Sequence, residues 1–210
     1  MKKVFPIRED QAPKRSSRSP RAEAIVADAI GLITEAGYSE FSLRKVAARN
    51  GIKLASLQYH FKTKEELLDA VLEQVLFEFG ERFNEGDLAV YASLTPQQLL
   101  EVTVDFVVSE CQRVESSDFF FQLWAMSCHD ASASRIQEKI YAQYRKTIRD
   151  LIKLLNPALS AEQRNIRSIV IISLLDGLML FISHGKSQAR HTSKISDEAK
   201  KNILRVVMDA

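Results

Sequence analysis

Apolar positions recur along this chain at helical spacing, and nowhere at the alternation of a strand. Ile25, Ala29, Leu32, Ile33 and Ala36 share one face of a helix expected from about Pro20 to Ala36, which Gly37 ends. Leu43, Val46 and Ala47 repeat in a short second helix, with Ser42 placed to cap it and Asn50-Gly51 to stop it. Ile52, Leu57 and Phe61 mark a third. Thr63 and Glu66 have the spacing of a capping box and open a fourth, whose apolar residues Leu67, Leu68, Val71, Leu72, Val75 and Phe79 carry it to about Phe83. Asn84-Glu85-Gly86-Asp87 reads as a break. Thr95-Pro96-Gln97-Gln98 supplies an N-cap, a proline at the first helical position and a glutamine at the third, for a helix to about Val114. Ser116-Ser117-Asp118 is expected to cap the next helix, which carries Phe119, Phe120, Phe121, Trp124 and Met126. Another helix is expected from Ser134 to Leu155, stopped by Asn156-Pro157. Ser160 and Gln163 form a further capping box, opening a long helix to about His184. From Ile169 to Ile182 its apolar run is broken only by Ser173, Asp176 and Gly177. Ser196-Asp197-Glu198 is expected to cap a last helix ending near Val207. The pattern predicts an all-α fold without internal repeats.

Composition narrows the class. A chain of 210 residues can bury one sizeable core or two small ones. No apolar run looks long enough to span a membrane and the N-terminus is too polar for a signal peptide, so a cytoplasmic protein without a membrane partner is expected. Cys111 and Cys128 fit neither a metal spacing nor a disulfide framework, and read as two buried thiols. The formal charge of +2 hides an asymmetry. Residues 1–64 hold 13 Lys and Arg against 6 Asp and Glu, whereas the rest holds 16 against 21. That is the balance of a basic nucleic-acid-binding head on an acidic body. Residues 1–20, with three prolines and six basic side chains, read as a disordered arm that either follows DNA or is merely solvated. The expected organisation is this arm, a helix-turn-helix domain over residues 21–66 and a helical domain over residues 67–210.

The chemistry concentrates between Ser42 and Lys64. Lys53, Ser56, Gln58, Tyr59 and His60 sit among the apolar residues of the third helix; all can donate hydrogen bonds and none is acidic. Two short helices joined by a Gly-containing turn place the second to enter a major groove. The N-terminal residues of such a helix face base edges, which selects Lys53, Leu54, Ala55 and Ser56, with Leu54 and Ala55 offering only apolar contact.

The run from about Arg21 to Val71 resembles the N-terminal domain of TetR-type transcriptional regulators. The resemblance rests on Gly37-Tyr38, Phe41-Ser42-Leu43, Val46-Ala47, Gly51-Ile52, Leu57, Tyr59-His60-Phe61, Lys64-Glu65 and Leu67-Leu68. It departs at Lys53, where a capping Ser is common, at Ala55, where Gly is common, and at Gln58, where Tyr is common. The resemblance implies that Arg44 contacts a base or phosphate and that Ser56, Tyr59, His60 and Lys64 clamp phosphates. It also implies that the last two helices pair with their symmetry mates as a four-helix bundle. The run Leu174-Leu175-Asp176-Gly177-Leu178 is similar to the C-terminal domain of the choline-responsive, BetI-type branch.

The body offers aromatic side chains for a ligand pocket: Phe83, Phe106, Phe120, Trp124, Tyr141 and Tyr144, with His129 or Asp130 as polar groups. The same stripe also reads as plain core. His60, His129, His184 and His191 are scattered, and phosphate loops and nucleophile elbows are absent, so no enzyme, cofactor or metal is expected. The expected protein is a homodimeric repressor that binds double-stranded DNA at a palindromic operator. A small-molecule effector would release it by shifting the fourth helix. Two readings compete: a sequence-tolerant DNA-organising or division-associated protein on the same fold, and an interaction protein that has lost DNA binding.

Overall fold

A computed structural model describes residues 18–84 and 93–209, of residues 83 and 84 the backbone only. Among the described residues there are nine α-helices and no strands: α1 Pro20–Ala36, α2 Leu43–Arg49, α3 Leu54–His60, α4 Lys64–Asn84, α5 Pro96–Gln112, α6 Val114–Ser127, α7 Ala131–Leu155, α8 Ala161–Ile182 and α9 Thr192–Met208. The break expected at residues 84–87 lies largely outside the described residues, as does the basic arm up to residue 17. Arg18 and Ser19 belong to the fold: Arg18 pairs with Glu73, and the Ser19 hydroxyl accepts the Ala22 N–H to cap α1. Contacts divide the chain into two compact units. One holds α1 to α4 as far as residue 82 together with residues 118–140; the other holds residues 83–84, 93–117 and 141–209.

In the first unit, Ile25, Val26, Ala29 and Ile33 of α1 close over Val46 and Ala47 of α2, Leu57 of α3, and Leu67, Leu68 and Val71 of α4. Phe119, Leu123 and Met126 of α6 and Ala133, Ile136 and Ile140 of α7 complete this core. The turn between α2 and α3 is built from local bonds. The Gly51 N–H donates to the Ala48 carbonyl and the Ile52 N–H to the Ala47 carbonyl, which is the Schellman pattern. Gly51 sits at φ +67°, where a side chain would be strained. Ser42 caps α2 by accepting the Lys45 N–H.

In the second unit, α8 packs on α5 and α9. Thr95 and Ser160 form the capping boxes expected of them. The last carbonyls of α9 are satisfied by side chains from elsewhere: Arg167 donates to Val206 and Val207, and Asn156 to Val207.

Several expectations need correction. The helix break falls at Arg113, not at Ser116, because the buried Ser116 hydroxyl donates to the Glu110 carboxylate at 2.6 Å and is not available as a cap. Helix α7 begins at Ala131, capped by Asp130. Helix α9 begins at Thr192, because Ser196 is buried and donates to Asp105 at 2.8 Å. Cys111 is buried, but Cys128 is exposed. Helix α8 is long and apolar enough to cross a bilayer by length and composition, contrary to the expectation of no such segment. One of its faces is buried in this unit through Ile171, Ile172, Leu175, Met179 and Ile182, while Ile166, Ile169, Val170, Leu180 and Phe181 remain exposed.

Candidate nucleic-acid interface

Helix α3 has seven residues, and one of them anchors it: Leu57 is fully buried. Phe61, just past the helix, is buried beside it. With Leu57 turned inward, the helical repeat turns Ala55, Ser56, Gln58 and Tyr59 outward, and all four are exposed. Tyr59 reaches 85% exposure, extreme for a large aromatic side chain. Its ring meets His60 edge-on at 5.2 Å between centroids. Leu54 and His60 are half-buried and Lys53 is exposed. Lys53 occupies the N-cap without a side-chain hydrogen bond, as its non-capping side chain requires.

The basic residues of α2 differ from one another in freedom. Arg44 is exposed. Lys45 pairs with Glu40. Arg49 donates twice to Glu35 at 2.7 Å and lies 3.6 Å from Asp28, so it clips α2 to α1 and crowds Gly31, where an added Cβ would meet its guanidinium at 2.7 Å. The Glu35 carboxyl is accordingly held below its ordinary range, chiefly by the hydrogen bond from Arg49. At the start of α4 the Thr63 hydroxyl accepts the Glu66 N–H, while Glu66 reaches back to the Lys62 N–H at 2.7 Å, a capping box displaced by one residue. Lys64 is half-buried, its ammonium 3.9 Å from the centroid of the Tyr38 ring and 5.5 Å from that of Phe41.

Sequence reasoning missed the role of Tyr38. Its phenol donates to Asp130 Oδ2 at 2.6 Å, and its backbone N–H donates to Gln122 Oε1 at 3.3 Å. Gly37, at φ +81°, leaves room for Gln122: a Cβ there would come within 3.3 Å of that amide. Asp130 also accepts the N–H groups of Ser132 and Ala133, so one carboxylate caps α7 and holds Tyr38. The Tyr38 hydrogen bond leads the effects that lower the Asp130 pKa, and desolvation leads those that raise the Tyr38 pKa. Asp130 lies 92 residues from Tyr38, and no local pattern announces such a pair.

The aromatic residues expected to line a pocket fall into two groups. Phe120 and Trp124 are half-buried in the first unit, with ring centroids 6.2 Å apart, and His129 of the same unit is exposed. Phe106, Tyr141 and Tyr144 are half-buried in the second. The side chain of Phe83 lies outside those described. The Tyr141 phenol donates to Asp176 Oδ2 at 2.6 Å, a carboxylate that sequence reasoning noticed as an interruption of the apolar run and as part of the BetI-like stretch, but did not pair with Tyr141.

A buried anchor, an outward row of hydrogen-bond donors and a Gly-closed turn define the helix-turn-helix class of DNA-binding proteins. The comparisons carry this further. The profile of the bacterial regulatory proteins of the tetR family matches residues 25–71, and that of the BetI-type transcriptional repressor C-terminal domain matches residues 96–196. The HTH-type transcriptional regulator BetI of Proteus mirabilis is 22% identical over 189 residues, covering 89% of this chain and 92% of the relative. PksA of Bacillus subtilis, also an HTH-type transcriptional regulator, is 25% identical over 176 residues, 80% of this chain and 81% of that one. Among solved structures, a putative transcriptional regulator of Saccharomonospora viridis in complex with choline superposes with a TM-score of 0.68 at 18% identity, covering 88% of this chain and 98% of that one. A regulator from Rhodococcus matches with the same TM-score and identity over 89% and 95%. The chain belongs to the TetR family of transcriptional regulators, which are DNA-binding proteins and not enzymes.

Proposed function

We propose that this regulator is a cytoplasmic repressor that binds a palindromic operator as a homodimer and is released by a small-molecule effector. The observation that carries the reading is the outward row of Ser56 and Tyr59 over the buried Leu57. Hydroxyl and phenol suit phosphate oxygens, and Arg44, Lys53, His60 and Lys64 are the further donors of the reading. Leu54 and Ala55 offer apolar contact to a thymine methyl. Selection of bound duplexes from a random pool tests this directly: a palindrome is expected. Affinity for it should fall with salt at a log–log slope of about −0.9 per phosphate neutralised. Enrichment of no sequence would favour the DNA-organising alternative, and a flat salt response would defeat DNA binding altogether.

The homodimer reading is supported by the outer face of α8. Ile166, Ile169, Val170, Leu180 and Phe181 are all about half exposed, and Gly177 lies among them with nothing within 4 Å of the Cβ it lacks. An apolar helix face with a small residue at its middle suits close packing against a second copy. Gly177→Trp should therefore leave the protomer folded and convert the dimer to monomer. Sedimentation equilibrium checks it; a variant that stays dimeric would move the interface elsewhere.

Effector release is supported by the choline bound to the Saccharomonospora relative and by the Tyr38 network. Helix α7 starts at the Asp130 cap that holds Tyr38 and carries Tyr141 and Tyr144 further along. A ligand that shifts α7 therefore pulls on the segment leading into α2. Tyr38→Phe removes one charge-assisted hydrogen bond, a loss of about 1.5–3 kcal/mol. It should retain operator affinity and respond less to effector; a binding assay with and without effector separates these effects.

A further inference from the structure

Helix α3 carries an outward polar side chain to which the operator reading gives no role. Gln58 is exposed, and among the described residues its amide has no hydrogen-bond partner, so the fold makes no use of it. An α-helix turns about 100° per residue. With Leu57 buried at the centre of the inner face, Ala55 and Tyr59 stand opposite it. Ser56 and His60 flank that pair on one side, and Leu54 and Gln58 on the other. The outward surface is therefore split. One edge bears hydroxyl, phenol and imidazole, and the other bears two apolar side chains and an amide.

The amide is planar, with a carbonyl acceptor beside an NH2 donor. A phosphate offers acceptors alone and would leave the amide carbonyl unmatched. The N7 and O6 acceptors of guanine would do the same, and cytosine shows a lone donor. Adenine sets its N7 acceptor beside its N6 donor, and so matches both ends of the amide. Leu54 and Ala55 precede Gln58 on the same edge by about 4.5–6 Å of helix axis, on the order of one or two base-pair steps of about 3.4 Å. Neither side chain can hydrogen-bond a phosphate, and the apolar partner that the major groove offers is the thymine methyl.

We propose that Gln58 reads an adenine in each half-site through its amide, next to thymines whose methyl groups pack on Leu54 and Ala55. The inference rests on the operator-binding reading above and deepens it. Ser56 and Tyr59 hold the backbone, whereas Gln58 and its apolar neighbours set the sequence. A bidentate pair of this kind discriminates against the wrong base by about fivefold to about a hundredfold.

The test selects bound duplexes from one random pool with the full chain and with Gln58→Ala, Gln58→Arg and Gln58→Glu. The side chain is exposed and unpartnered among the described residues, so all four proteins should melt alike. The parent should enrich a palindrome with adenine at one fixed position of each half-site and A·T pairs beside it. In Gln58→Ala that position should lose its preference while the rest of the palindrome stays. Gln58→Arg should shift it to guanine, whose two acceptors suit a guanidinium, and Gln58→Glu to cytosine, whose N4 donates to a carboxylate. Ser56→Ala is the contrast: it should weaken all duplexes evenly, as loss of a phosphate contact does. An unchanged palindrome in Gln58→Ala, a relaxed position that is not adenine in the parent, or an even loss across all sequences in Gln58→Ala would overturn the inference and leave operator binding standing. A parent that enriches no sequence would defeat the operator reading, and this inference with it.

Discussion

Tyr59→Ala combined with His60→Ala should abolish operator binding while the protein melts within a few degrees of the parent. The structure separates the two effects cleanly. Tyr59 is 85% exposed, so its ring contributes almost no burial to the fold. His60 is half-buried, and its ring meets that of Tyr59 edge-on. Hydrogen bonds to charged groups contribute about 1.5–3 kcal/mol each, so losing one from each side chain weakens a protomer's hold on DNA by about 100-fold or more. Both half-sites of a palindrome lose their contacts at once, which compounds the loss. Leu57→Ala is the necessary contrast. It empties a fully buried site, which costs about 2–5 kcal/mol, and DNA binding then fails through loss of the head itself. Fluorescence anisotropy on the selected duplex, paired with thermal melts, distinguishes these outcomes. Unchanged affinity in the double variant would show that the outward face of α3 is not the reading surface.

The helix-turn-helix was legible because its determinants are local. The Ser42 cap, the Gly51 exit and the Leu57 anchor all lie within sixteen residues of one another, and each does in the structure what its chemistry predicts. The capping boxes of α5 and α8 were legible for the same reason. Where a Ser found a carboxylate partner outside its own helix start, the local rule failed. Ser196 carries the signature of a cap but donates to Asp105, 91 residues away, and Ser116 is drawn to the buried Glu110. Arg49 looked like one of three exposed basic residues of α2, and only the fold shows that Glu35 and Asp28 have claimed it. The pocket candidates were the least legible. Aromatic residues at helical spacing look alike whether they line a pocket or fill a core, and nothing near Asp176 in sequence announces that Tyr141 will reach it.

Asp176→Asn should stabilise the ligand-free protein at about pH 8, and the gain should vanish toward about pH 4. The sign follows from a carboxyl whose folded pKa is raised, from an ordinary 3.8 to about 6, with burial as the cause and the Tyr141 hydrogen bond working against it. Below the ordinary value both the folded and unfolded chains carry the proton, and the site costs nothing. Between the two values the unfolded chain ionises while the native state still holds its proton, so stability falls as pH rises. Above about 6 the native carboxylate is charged and the penalty is complete. A shift of this size corresponds to about 3 kcal/mol. An Asn at this position still accepts the Tyr141 hydroxyl but introduces an amide that must find a partner, so a net gain of about 1–3 kcal/mol is expected. In a chain of this length that raises the melting temperature by roughly 3–10 °C. Melts of parent and variant across the pH range measure the difference directly, and a gain that does not change with pH would assign the effect to packing and not to charge.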